Sequence, residues 1–178
     1  MFSRAFFALS LLAFSATLSA AEPSTGPVID GYGAAFVVEN ADVPLDPNHV
    51  YRVAFEITEY DSDLGVVNRN LERVARYLNL HAKNGVPPEN IEAAVVMHGA
   101  ALVNALSDEA YRKRFGQSNP NRDLAEKLAA AGVRFYVCGQ SMGMRGFEKS
   151  ELADSFKLAT SALTMVHQLQ FEGYTLQP

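Results

Sequence analysis

Tryptophan is absent from the 178 residues, and cysteine occurs once, at Cys138. A single thiol excludes an internal disulfide, a Cys-x-x-Cys dithiol cycle and a cysteine-built zinc site. Cationic runs are also missing: 15 Lys and Arg stand against 20 Asp and Glu. Nucleic acid is therefore not an expected partner, because phosphate neutralisation dominates that kind of binding. The four histidines, His49, His81, His98 and His167, show no ligand spacing, so no metal site and no cofactor are expected. There is no internal repeat and no low-complexity tract.

Long apolar runs are scarce, and the clearest one opens the chain. Arg4 precedes the apolar stretch Ala5 to Phe14, and Ser19-Ala20-Ala21 supplies small residues of the kind found at cleavage sites. This is the pattern of a secretory signal peptide over residues 1–21, ending before Glu22. The stretch is too short for a spanning helix, which needs about 20 residues. The mature chain is expected to be periplasmic or secreted, with no membrane attachment after cleavage. It then holds 157 residues, 14 of them basic and 20 acidic, for a formal charge of −6. That length suffices for one domain with a sizeable core. In an oxidising compartment the lone Cys138 is a buried small residue, a reactive thiol or an intermolecular link.

Residues 22–49 carry four prolines and little periodicity, and are expected to form an extended lead-in over the surface of a domain spanning 50–178. Apolar residues at 51, 53, 55 and 57 alternate as in a strand. Leu64, Val67, Leu71, Val74 and Leu78 recur at helical spacing, with Asp61, Ser62 or Asp63 as the expected cap. Gly85 and Pro87-Pro88 end that unit. Ile91 to Met97 is almost wholly apolar, as in a strand covered on both faces. After His98-Gly99 comes a short helical stretch, then a polar loop over 107–120. A helix capped by Asn121 runs to Ala131, followed by a strand over 133–137 that ends at Cys138. A brief strand at Phe156–Ala159 follows. Thr160 or Ser161 then caps a helix with Leu163, Val166 and Leu169 or Gln170 inward, and a last strand lies near Tyr174–Leu176. Alternating strands and helices predict an α/β three-layer sandwich with a mainly parallel sheet.

The chemistry-bearing stretch is Val137-Cys138-Gly139-Gln140-Ser141-Met142-Gly143, where a G-x-S-x-G pattern overlaps the cysteine. The chain order Ser141, Asp154, His167 matches that of α/β-hydrolases. Only 26 residues separate Ser141 from His167, too few for two crossover units of about 30 residues each. His167 falls inside a helix, and two glycines in Met142-Gly143-Met144-Arg145-Gly146 argue against a helix behind the serine. Cys138 is the stronger candidate. It sits where a parallel strand ends, the edge at which α/β proteins place their sites. Free backbone N–H groups at Gly139 would stabilise a thiolate. If strands 91–97 and 133–137 are neighbours, His98 reaches the same edge and can activate the thiol. A small buried cysteine and a histidine bonded to a loop carbonyl remain the plainer alternatives. Tyr111-Arg112-Lys113-Arg114 is expected to be a solvated face, and Met142, Met144 and Phe147 to be covered by a neighbouring subunit.

Several motifs in sequence order carry a family resemblance: Asn68-Arg69-Asn70-Leu71, Val95-Val96-Met97-His98-Gly99-Ala100-Ala101, Asn119-Pro120-Asn121, Ala131 to Ser141, and Leu169 to Tyr174. Together they resemble the DsrE/DsrF-like family over about residues 50–178. The resemblance implies flavodoxin-like layering, assembly into trimers or hexamers, and sulfur transfer through a persulfide on one strand-end cysteine. By position that residue is Cys138, with His98 beside it and Gly99, Gly139, Gln140 and Ser141 forming its surroundings. It also implies a thiol-bearing partner protein. A non-catalytic binding or assembly module is the alternative, and hydrolysis through Ser141 a further one.

Overall fold

The structure is a computed structural model that describes residues 22–61 and 63–177. The expected signal peptide, residues 1–21, lies outside the described residues.

Strand β1, Tyr51–Ile57, is followed by helix α1, Arg69–Lys83. Strand β2, Ile91–Met97, leads through a 3₁₀ turn at Gly99–Ala105 into α2, Asp108–Phe115, and α3, Arg122–Ala130. Strand β3, Arg134–Cys138, runs directly into α4, Gly139–Arg145. Strand β4, Phe156–Ala159, helix α5, Ala162–Phe171, and strand β5, Thr175–Gln177, complete the order. The sheet has five strands in the order β4-β3-β2-β1-β5, and every pairing is parallel. The expected α/β layering is therefore present, and the sheet is wholly rather than mainly parallel.

Side-chain alternation divides the strands between two cores. Val53, Phe55, Ile57, Val95, Met97, Phe135 and Val137 face α1, α3 and α4, packing on Leu71, Leu78, Leu124, Leu128 and Met142. Ala54, Ala94, Val96 and Cys138 face the other way, onto Ala162, Met165 and Leu169 of α5. Strand β2 is buried on both faces, as its nearly continuous apolar sequence predicts. One helix covers the second face, so polar side chains survive at its ends.

Several local expectations are corrected. Helix α1 starts five residues later than the apolar spacing suggests, because the Asn68 side chain accepts from the N–H of Asn70 and so caps it. Asp61 still takes the N–H of Arg69, 2.9 Å away, from outside the helix. Asp63 closes a turn on Gly65, and Ser62 lies outside the described residues. The expected loop over 107–120 contains α2, capped by Ser107 through the N–H of Ala110. Tyr111 of that helix is buried and its hydroxyl donates to the Leu64 carbonyl, while Arg114 lies over the Phe147 ring and pairs with Glu151. Tyr111 is thus packed inward, while Arg112, Lys113 and Arg114 are exposed, as expected of a solvated face. Asn121 precedes α3 and its carbonyl accepts from the N–H of Ala125, but its side chain does not cap the helix because it is bonded elsewhere. In α5, capped by Ser161, the buried face is Ala162, Met165 and Leu169, whereas Leu163 is 84% exposed. Met142 is buried within its own chain, while Met144 is 80% exposed.

Residues 28–33 of the lead-in are bonded to α1 through one side chain. Asn79, fully buried, accepts from the N–H groups of Val28 and Ile29 and donates to the carbonyls of Ile29, Tyr32 and Gly33. Gly33 lies so close to α1 that a Cβ there would sit 2.2 Å from the backbone nitrogen of Arg76.

A candidate thiol site at the carboxyl edge of the sheet

Strands β2 and β3 are neighbours in parallel register, with Met97 opposite Val137. The next residues along, His98 and Cys138, therefore meet at the carboxyl edge. Both lie at even positions of the alternation, on the α5 face. Cys138 is 4% exposed and sits at the N-cap position of α4. The first turn of α5, starting at Ala162, packs in the same cluster.

Burial is the largest single influence on this thiol and opposes its ionisation. Four hydrogen bonds act against it: the Ser141 hydroxyl and the backbone N–H groups of Ser141, Ala162 and Gln140. Together they outweigh burial and hold the thiol below the ordinary cysteine range. The cause is the free donors that every helix start presents. Two such starts converge on one sulfur here, those of α4 and α5.

Two glycines make that convergence sterically possible. A Cβ at Gly139 would lie 3.0 Å from the Ala159 carbonyl oxygen and 3.3 Å from that of Thr160. Gly99 has φ +58, and a Cβ there would lie 3.0 Å from the Thr58 carbonyl oxygen. The Gly99 N–H donates to Ser141 Oγ at 3.2 Å, which links the loop after β2 to the hydroxyl that faces the sulfur. Gln140 is exposed at the rim, its side chain donating to the Thr160 carbonyl at 3.4 Å.

The loop after β2 is clamped from behind by buried asparagines. Asn119 donates to the carbonyls of Asn104 and Leu106, Asn121 donates to Asn104 Oδ1, and Asn121 Oδ1 accepts from the N–H of Asn68. The motif residues Asn68, Asn119 and Asn121 thus set the position of the Gly99–Ala105 turn and the start of α1.

His98 shares the edge with Cys138 but is bonded elsewhere. Its Nε2 is 2.9 Å from Glu56 Oε1, and both side chains are about one-third exposed, 27% and 33%. The groups that act on the thiol are amides and a hydroxyl, without the imidazole. Sequence reasoning missed Glu56. The available signal was a carboxylate at the penultimate, even position of a strand whose odd positions are apolar.

Ser141 follows a strand and lies in a helix, so the helix judged unfavourable from its glycines does form. Its hydroxyl is nonetheless committed to Gly99 and the thiol. His167 is exposed on α5 and stacks on Phe171 at 4.6 Å, and Asp154 is exposed before β4. No hydrogen bond joins Ser141 to a histidine among the described residues. Nor do these residues contain a group of three His, Cys, Asp or Glu side chains placed to hold a metal ion, or a helix long and apolar enough to cross a membrane.

Comparison with known proteins gives three findings. The model of the DsrE/DsrF-like family matches residues 52–178. No curated protein matches the chain. Among solved structures, a protein of unknown function from Methanobacterium thermoautotrophicum, MTH1491, is similar at 24% identity with a TM-score of 0.51, over 71% of this chain and 97% of its own. A likeness at that identity speaks to the fold.

Proposed function

This chain belongs to the DsrE/DsrF-like family, which is linked to sulfur relay, and from that premise we propose that it is an exported sulfur carrier whose cargo is a persulfide on Cys138. The observation that carries this reading is the place of one sulfur at the carboxyl edge of the sheet, at the N-cap of α4 and packed against the first turn of α5, where three amides and one hydroxyl favour its thiolate. Thiolate is the form that attacks sulfane sulfur, and an anion held by fixed N–H groups also makes a good leaving group when the sulfur is handed on. In this reading residues 1–21 direct export, 22–49 brace α1, and the protein works in the periplasm or outside the cell. A thiol-bearing partner protein accepts the sulfur, and the carrier itself is a trimer or hexamer. The exposed Met144, Leu163 and Phe171 are apolar surface for such contacts.

The test is direct. Incubated with a sulfane donor, the mature protein gains the mass of one sulfur atom, which a reductant removes, and Cys138→Ser does not gain it. A Cys138→Ser protein that still takes up the sulfur overturns the assignment.

One observation favours a second reading, a non-catalytic binding or assembly module: Cys138 is only 4% exposed. Alkylation of Cys138 that is slow in native protein and fast only after unfolding supports that alternative. Hydrolysis through Ser141 is tested by a fluorophosphonate probe, whose label is lost in Ser141→Ala if the serine is the nucleophile.

A further inference from the structure

Glu56, His98 and Cys138 stand on three successive strands, β1, β2 and β3, near the carboxyl edge and on one face of the sheet. The register makes the alignment firm. Glu56 lies opposite Val96, two residues before His98, and His98 is the first residue past the Met97–Val137 pair, level with Cys138. The backbone N–H of His98 donates to the Ile57 carbonyl at 3.1 Å, so the ladder continues through this residue. Neighbouring strands lie about 5 Å apart, so the His98 backbone stands between the strand that carries the carboxylate and the strand that ends in the sulfur.

The imidazole is already oriented. Its Nε2 meets Glu56 Oε1 at 2.9 Å, and Nδ1 makes no hydrogen bond among the described residues. A carboxylate at Nε2 keeps the proton on that nitrogen in the neutral ring, which leaves the lone pair on Nδ1. The Glu56 side chain therefore decides both the tautomer and the direction of the base.

Resting on the sulfur-carrier reading, we propose that Glu56 is a positioning residue that fixes His98 so that Nδ1 carries a proton between the Cys138 persulfide and the thiolate leaving a donor persulfide. In the loading step the Cys138 thiolate attacks the terminal sulfur of a donor persulfide, RS–SH. The new S–S bond forms as the donor's own S–S bond breaks, and the electron pair departs on the donor as RS⁻. His98 takes the proton from the new Cys138 S–SH group at Nδ1 and delivers it to RS⁻, giving RSH and a Cys138 persulfide anion. No external oxidant is needed, because the sulfane sulfur brings its oxidation level with it. The backbone amides hold the sulfur anion, and the imidazole moves the proton; the two sets of groups act on different charges.

The division of labour makes the inference testable through the leaving group. Proton delivery helps a strongly basic leaving thiolate and is of little use to a weakly basic one. Wild type, Glu56→Gln and His98→Gln are loaded under single-turnover conditions with two donors. One is a persulfide of an alkyl thiol; the other is a persulfide of an acidic aryl thiol. With the alkyl donor we expect loading to slow about tenfold in Glu56→Gln and about 100-fold in His98→Gln, with the aryl donor giving nearly wild-type rates. Glu56→Gln keeps the side-chain volume, and circular dichroism checks its fold. If wild type loads and both variants load like it, or are slowed equally with the two donors, Glu56 and His98 move no proton and the inference fails while the carrier reading stands. If wild type does not load, the carrier reading and this inference fall together.

Discussion

Replacing Ser141 by alanine removes one of the four donors that face the Cys138 sulfur and leaves the three amides in place. A hydrogen bond to a charged group contributes about 1.5–3 kcal/mol, and one pKa unit corresponds to about 1.4 kcal/mol. The lost hydroxyl should therefore raise the thiol pKa, with an effect at the lower end of that range because the Ser141 amide still points at the sulfur. At a pH below both midpoints, the thiolate fraction, and with it the alkylation rate, falls about tenfold. Stability responds in a definite direction. The folded pKa lies below the unfolded one, so the thiolate's stabilising contribution is present above the unfolded pKa and disappears as the pH falls through the folded pKa. Ser141→Ala should thus cost more stability at alkaline than at acidic pH, on top of about 1 kcal/mol for the orphaned Gly99 N–H at any pH. The assay is stopped-flow alkylation of native protein by iodoacetamide across pH, with mass spectrometry locating the adduct. Coincident midpoints in wild type and Ser141→Ala would show that the hydroxyl does not support the thiolate, and the electrostatic account of the site would be wrong.

Three further outcomes follow from the same structure. Asn79→Ala strips the lead-in of five hydrogen bonds to one buried amide and should cost about 3 kcal/mol in urea unfolding, with faster proteolysis within residues 22–49; a loss under about 1 kcal/mol would mean that the lead-in is held by other contacts. Glu151, paired with Arg114 at 2.7 Å, titrates at about 2 in the folded state, so its contribution is present above the ordinary glutamate pKa and lost as the pH falls through about 2. Glu151→Gln should remove about 1 kcal/mol at pH 7 and flatten acid denaturation below pH 4.5; an unchanged acid limb refutes the pairing. Gly139→Ala puts a methyl 3.0 Å from the Ala159 carbonyl, so the β4–α5 turn must give way and carry the Ala162 N–H from the sulfur. The thiol pKa should then rise although no atom touching the sulfur has been replaced, and an unchanged alkylation profile contradicts that coupling.

The fold was written in patterns of different strength. Strand β1 alternates and β2 is apolar except for Glu92 because one is partly open and the other is buried on both faces, so periodicity alone places them. Helix α2 was missed because only Ala110 and Tyr111 are buried, too short a stripe to register against five charged neighbours; the Ser107 cap was the readable clue. The start of α1 was misplaced since Leu64 and Val67 do pack inward, but from a turn, and local capping by Asn68 overrode the apolar spacing. In α5 Leu169 and the half-buried Val166 pack inward as expected, and Leu163 does not. The helix lies on alanines of β1 and β2, and small Ala162 fills the space there, leaving the larger Leu163 in solvent.

Cys138 stood out in the sequence because its strand ended there and a glycine followed. What surrounds the sulfur was readable only in part. The amides of Gln140 and Ser141 are local to the motif, but the Ala162 N–H comes from 24 residues away, and nothing in the intervening turn announces it. The pairing of His98 with Glu56 depends on the same kind of long-range fact, the placement of β1 beside β2. Burial looked from the sequence like an alternative to an ionisable thiol, and in the structure a buried position and a lowered thiol pKa occur in one residue. The conflict resolves through the helix starts: a sulfur sealed by apolar groups alone would resist ionisation, whereas one sealed in part by unpaired N–H groups gives them the acceptor they otherwise lack. The same burial that limits access thus strengthens each of those hydrogen bonds by excluding water, so low exposure and a lowered thiol pKa are consequences of one packing arrangement.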